Sequence, residues 1–300
     1  MLELFAKNLL PIFLAAGAGY LLAASLQVDP RPLARVGFFV FSPCLVFNIM
    51  VNTALPTAAV LRMGAFSLLS LLSLASIVML VARWRRYSRP LTAALVLVVL
   101  IPNSGNYGLS AVLFAFGKQG LAQASIFFVI TAVLTFTVGV FIASLGRVRF
   151  MEALRGLLKV PTVWAVVLAL LLMRTGWALP FPLLRTVELL AQACIPTFLV
   201  ILGMQLYGKS LAGQFKLVLL ASGMRLIGGF AWGFLLAVIF RFEGPALQAA
   251  VLESAMPSAV ICTILATEYD VEPTFVTSVV CVTTLLSPFA LTPILALLGA

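Results

Sequence analysis

The sequence predicts an all-α integral membrane protein with ten transmembrane helices, built as two inverted five-helix repeats whose spans 4 and 9 are broken and crossed. Three observations carry this reading. The 300 residues are 63% hydrophobic and only 9% charged, against about 25% charged in a soluble domain. Apolar runs long enough to cross a bilayer recur along almost the whole chain, with a mean hydropathy of +1.19. Prolines and amides recur at matching places in the two halves.

Ten spans are expected, at 4–25, 33–52, 62–82, 91–116, 121–145, 160–176, 184–207, 216–240, 246–267 and 273–298. The first is a span rather than a signal peptide. Its opening residues are nearly neutral, and its apolar run exceeds the roughly 7–15 residues of a signal core. The second carries Pro43, with Asn48 and Asn52 near its end. The third ends in Arg83, Arg85, Arg86 and Arg89, an anchor of the positive-inside kind. Thr131, Thr135 and Thr137 in the fifth, and Thr277, Ser278, Thr283, Thr284 and Ser287 in the tenth, are helix-packing polar groups. The sixth is short, and the seventh holds Pro196 and Gln205.

Loop charge sets the orientation. Arg31, Arg35, Arg83, Arg85, Arg86, Arg89, Arg147, Arg149, Arg155, Lys159, Lys209 and Lys216 fall after odd-numbered spans. They outnumber Lys7, Arg62, Lys118, Arg174, Arg185 and Arg241 on the other side. The odd loops are therefore expected in the cytoplasm and both termini outside. The net charge of +10 serves topology and contact with anionic membrane lipid rather than nucleic acid, because no polar face carries it.

The stretch 146–159 reads as a cytoplasmic linker between a first repeat, 1–145, and a second, 160–300. Pro43 and Pro102 mark the second and fourth spans of the first half, and Pro196 and Pro257 do so in the second at nearly the same spacing. Asn52 and Gln205 follow Pro43 and Pro196 at one shared offset. Five spans is an odd number, so the second half enters from the opposite side, the pattern of an inverted repeat.

The functional signal lies where these breaks fall. Span 4 contains Pro102, Asn103, Ser104, Gly105 and Asn106, followed by Gly108. Proline removes an N–H and clashes with the preceding turn. Broken helix at membrane depth survives only when buried in protein or lining a polar cavity. Span 9 places Pro257 among Glu253, Ser254 and Ser258, and a carboxylate at that depth marks a functional site. Crossed breaks would direct helix N-termini, which favour anions, into one centre, while freed carbonyls favour a cation. Asn103, Ser104, Gly105, Asn106, Ser254 and Ser258 are therefore the candidate substrate residues, and Pro102 and Pro257 the helix breakers. Glu253 and Arg225 are candidates for coupling a cation or proton. Arg225 has three further readings, a contact to a substrate carboxylate, a partner that neutralises Glu253 and a side chain that snorkels to the inner surface. Both breaks also have a purely structural reading as kinks.

Other chemistry lacks residues. There is no histidine, which removes the usual metal ligand and near-neutral proton relay. Cys44, Cys194, Cys262 and Cys281 sit in apolar segments without metal-ligand spacing and read as small core residues. No nucleophile–base pair, phosphate loop or metal cluster is visible, so neither an enzyme nor a bound cofactor is expected.

The stretch IPNSGNYGLS, residues 101–110, resembles the span 4 motif of the auxin efflux carrier family. That family includes the plant PIN auxin exporters and bacterial malonate and malate permeases. Ser110 departs from the proline that bacterial members carry there, and SAMPSAV in span 9 is similar to the family's matching crossover. The resemblance covers essentially the whole chain. It implies a scaffold of spans 1, 2, 6 and 7, a mobile transport domain of spans 3–5 and 8–10, and an elevator-like step. It also implies a homodimer through the scaffold, in the cytoplasmic membrane of a bacterium. The implied substrates are small organic anions: carboxylates, dicarboxylates or auxin-like acids. The long central loop of the plant members has no counterpart.

Taken together, the expectation is a secondary transporter of small organic anions, with Na+ or H+ as a candidate coupling ion. Its rivals are a sodium-coupled symporter of the bile-acid class, a passive channel, and a membrane sensor that binds without transporting.

Overall fold

A computed structural model of the chain describes residues 2–53, 55–145, 160–175, 179–208 and 215–300. The expected linker at 146–159, with Arg147, Arg149, Arg155 and Lys159, lies outside the described residues, as does Lys209.

Helices run in chain order as α1 (Leu2–Leu26), α2 (Pro30–Thr53), α3 (Thr57–Trp84), α4 (Arg89–Leu100) and α5 (Ser104–Ala143). They continue as α6 (Pro161–Thr175), α7 (Phe181–Leu206), α8 (Phe215–Ile239), α9 (Gly244–Ser254), α10 (Ile261–Glu268) and α11 (Pro273–Leu297). Seven of them, α1, α2, α3, α5, α7, α8 and α11, are long and apolar enough to cross a membrane. The fourth expected span is divided between α4 and the start of α5, and the ninth between α9 and α10, because the chain leaves helical geometry around Pro102 and Pro257. α5 runs on through the expected turn before span 5, but it is two helices joined at Gly117, whose φ of 66° and ψ of −161° end the first. A left-handed φ of this kind is open to glycine at no steric cost. The sixth expected span is described as the helix Pro161–Thr175.

Local sequence explains the ends. Asp29 caps α2 by accepting the Arg31 N–H at 3.0 Å, and Ser88 caps α4 by accepting the Leu91 N–H at 3.3 Å. Several prolines sit inside helices without breaking them. A π turn at Phe5–Leu9 precedes Pro11, and another at Gly37–Phe41 precedes Pro43. The wider turn makes room where the proline ring would meet the carbonyl four residues back.

Packing is densest within two sets of helices, which meet where α5 touches α1, α2 and α7. α1 lies along α7, and α2 packs on both α6 and α7. The α1–α7 crossing is close because Gly19 faces the Val200 backbone and Gly203 faces the Ala16 backbone, positions where a Cβ would overlap the opposite chain. The second set pairs α3 with α4, α5 and α8, α9 with α5 and α8, and α11 with α4, α8 and α10. Trp232 Nε1 of α8 donates to Ser73 Oγ of α3 at 2.7 Å. The Arg62 guanidinium donates to the carbonyls of Phe240 and Arg241 and sits 4.9 Å from the Phe242 ring centroid. Every residue from Ala93 to Ile101 is buried, so the half-helix α4 is enclosed on all sides beyond its first turn. By contrast α1, α6 and α7 carry outward Leu14, Leu21, Leu168 and Leu189, as lipid contact requires. Thr131, Thr135, Thr283 and Thr284 donate to carbonyls four residues back, which keeps these hydroxyls satisfied within their own helices.

Candidate functional site

The two breaks meet. Pro102 and Ser258 form an antiparallel bridge. The Asn103 N–H donates to Pro257 O at 2.7 Å, and the Ala259 N–H donates to Ile101 O at 2.9 Å. Each broken segment thus supplies what the other lost, which is how non-helical backbone is tolerated away from water. Proline at 102 fits because that position needs no N–H of its own in the pairing.

Side chains complete the accounting. Ser258 Oγ donates to Val98 O at 2.7 Å, and the Ser258 N–H donates to Thr283 Oγ1 at 3.2 Å. Ser254 Oγ donates to Ala250 O at 2.7 Å, and α8 presses against it at Gly233, where a Cβ would strike the serine side chain. Arg225, fully buried, donates to the carbonyls of Met256, Val99 and Ser254. It spends its fork on backbone, and no ion pair joins it to Glu253 among the described residues. Glu253 is itself fully buried, and neither carboxyl oxygen has a hydrogen-bond partner among the described residues. The carboxyl group lies against Gly108, where a Cβ would overlap it.

On the other side of the crossing a cavity of about 550 Å³ opens. Pro102, Asn103, Ser104, Gly105 and Asn106 form its floor, Phe38, Phe128, Phe136 and Phe198 supply its walls, and Arg31 and Arg35 lie at its exposed mouth. Asn103 is 4% exposed, and its Nδ2 has no partner among the described residues. Asn106 Nδ2 and Gln205 Oε1 stand 3.5 Å apart across the cavity wall, at the limit of a hydrogen bond. Among the described residues the lining holds two guanidinium groups and no carboxylate.

The residues singled out in the sequence therefore separate into two groups. Those of the first break line the cavity. Glu253, Ser254, Pro257, Ser258 and Arg225 lie behind the crossing, and the second break faces the cavity through Ala259, Val260 and Ile261. Arg31 and Arg35 were legible only as topology signals, although their spacing of one helical turn already puts both on one face of α2. The phenylalanine walls gave no sequence signal, since such rings are common in any apolar span. Among the described residues no group of histidine, cysteine and acidic side chains could hold a metal ion.

A family model described as membrane transport protein matches residues 4–295. An uncharacterized transporter from the archaeon Methanothermobacter thermautotrophicus is 24% identical over 263 residues, which cover 87% of this chain and 86% of that protein. An uncharacterized transporter from Methanocaldococcus jannaschii is 28% identical over 197 residues, 64% of each chain.

Proposed function

The chain belongs to the membrane transport protein family that contains the auxin efflux carriers, and from that premise we propose that it is a secondary transporter of small organic anions. The observation that carries the substrate class is the cavity above the crossing. Among the described residues, two guanidinium groups stand at its mouth, an unpartnered amide donor lies at its floor, and no carboxylate lines it. The floor is also the first turn of α5, whose N–H groups and dipole favour negative charge. Asn103, Ser104 and Asn106 would hold the anionic group, and the phenylalanine walls would take its apolar body.

The packing supports an elevator-type movement. α1, α2, α6 and α7 form one set, which would stay fixed, and the helices around the crossing form another, which would carry the site. The ten-span inverted repeat fits the same division: one break falls in each half, and the breaks pair with opposite chain directions. Glu253, on the far side of the crossing and without a hydrogen-bond partner among the described residues, is the group we assign to coupling.

The reading is tested by uptake of labelled mono- and dicarboxylates into proteoliposomes, together with melting of the purified protein in the same acids. A ligand that binds the folded state raises Tm by mass action. Saturable uptake and a Tm rise with one acid support the proposal. Flux that never saturates would favour a channel, and binding without flux a sensor.

Two variants extend the test. Arg31→Ala and Arg35→Ala together should raise KM on the order of 10-fold, through lost electrostatic guidance, with the maximal rate little changed. The parent's KM should rise with salt and the double variant's should not. A KM equal to the parent's at low salt removes the arginines from the entry path. Glu253→Gln should bring uptake driven by an imposed pH gradient down to the level without a gradient, while the Tm rise with substrate persists. Gradient-driven uptake at the parent level rules Glu253 out as the coupling group.

A further inference from the structure

The Arg225 guanidinium occupies a place that its surroundings mark out for a cation. α4 and α9 both end inside the protein, and helix C-termini carry partial negative charge and carbonyls without intrahelical partners. Arg225 lies in the π turn Met224–Gly228 of α8 and is fully buried. Its Nε donates to Met256 O at 2.9 Å, its Nη2 to Ser254 O and its Nη1 to Val99 O. Two of these carbonyls stand at the end of α9 and one at the end of α4. Gly229, one turn later in α8, has no room for a Cβ between the guanidinium and the Ser254 carbonyl. The backbone is thus drawn close around the charge. A metal ion placed where two half-helices end would take the same kind of oxygen ligands.

We propose that Arg225 is the resident cation of the crossing, a tethered substitute for a bound sodium ion, and that transport by this chain is accordingly independent of sodium. A planar guanidinium spreads its donors over three nitrogens and so reaches three carbonyls from two helix ends at once, whereas the three N–H groups of an ammonium share a single nitrogen. The cation stays attached to α8, so the crossing keeps its charge balance whether or not a substrate is bound. The sodium-independence of transport rests on the transporter reading above; the role of Arg225 at the helix ends does not.

The test measures Tm and uptake for the wild type in sodium, potassium and choline chloride, and for Arg225→Ala with and without low-millimolar methylguanidinium. The expected wild type has the same Tm and the same uptake in all three salts. The expected Arg225→Ala has a Tm lower by several degrees and reduced uptake. Methylguanidinium restores part of both, and methylammonium at the same concentration does not. A sodium-specific rise in wild-type Tm or uptake overturns the proposal, as does an alanine variant that matches the wild type or ignores methylguanidinium. If the alanine variant does not fold, Arg225→Lys takes its place. It should fold with a lower Tm than the wild type, and an equal Tm overturns the requirement for a fork. A wild type that takes up none of the acids in any salt removes the transporter reading instead, and the Tm comparisons still decide the role of Arg225.

Discussion

Asn103→Ala should lower uptake roughly 10- to 150-fold while leaving the Tm of the unliganded protein within a few degrees of the wild type. The two halves of this expectation have separate causes. Asn103 Nδ2 is buried in the cavity floor without a partner among the described residues, so its removal orphans no other group there. The backbone of residue 103 keeps its bonds to Pro257 O and to the Gly108 N–H, the latter at 2.9 Å. A hydrogen bond to a charged ligand contributes about 1.5–3 kcal/mol, which is the quoted range at about 1.4 kcal/mol per decade. Uptake assays and melting curves of the same preparations measure both. Unchanged uptake would remove Asn103 from the binding site. A collapse in Tm would show that its amide supports the fold instead.

Gly203→Ala should have the largest effect on stability, destabilising by about 3 kcal/mol or more, at or beyond the top of the usual overpacking range. A Cβ at residue 203 would overlap the Ala16 carbonyl of α1, and one at Gly19 would overlap the Val200 carbonyl of α7. Both obstacles are backbone, so no rotamer change relieves them and the helices must move apart. That separation opens the longest contact within the α1, α2, α6 and α7 set. Gly17, two residues before Gly19, has nothing within 4 Å of its Cβ position, and Gly17→Ala should stay within about 0.5 kcal/mol of the wild type. Yield of monodisperse protein and Tm in detergent measure the contrast. Equal behaviour of the two alanine variants would mean that α1 and α7 do not approach this closely.

The helical class and the place of the cavity floor were legible in the sequence for one physical reason: both depend on local composition. Apolar runs announce spans, and the cluster Pro102–Asn103–Ser104–Gly105–Asn106 announces a break because no neighbouring residue in it favours continuing the helix. Proline alone was a weaker guide. Pro196, Pro288 and Pro293 sit inside α7 and α11 without dividing them, and Pro43 follows a π turn that absorbs its ring. Partners distant in sequence were not legible. Nothing near Arg225 indicates that its three acceptors are carbonyls at Val99, Ser254 and Met256, and nothing near Ser258 points to Val98. Ser254 and Ser258 have the composition of a binding site, yet their hydroxyls are taken by Ala250 and Val98 carbonyls, a fact fixed only when α4 and α9 come together. Arg31 and Arg35 carried a true signal, one face of one helix, that the stronger demand of topology concealed.

The pairing of residues 101–103 with 257–259 also determines what kind of motion the site permits. Parting the two segments would strip amides and carbonyls of their partners inside an enclosed interior, at several kcal/mol for each unsatisfied group in hydrocarbon. The crossing therefore behaves as a seam rather than a hinge. In the proposed elevator-type cycle the seam would travel whole with the helices around it, and the cavity floor would present the same amides to a ligand before the movement and after it.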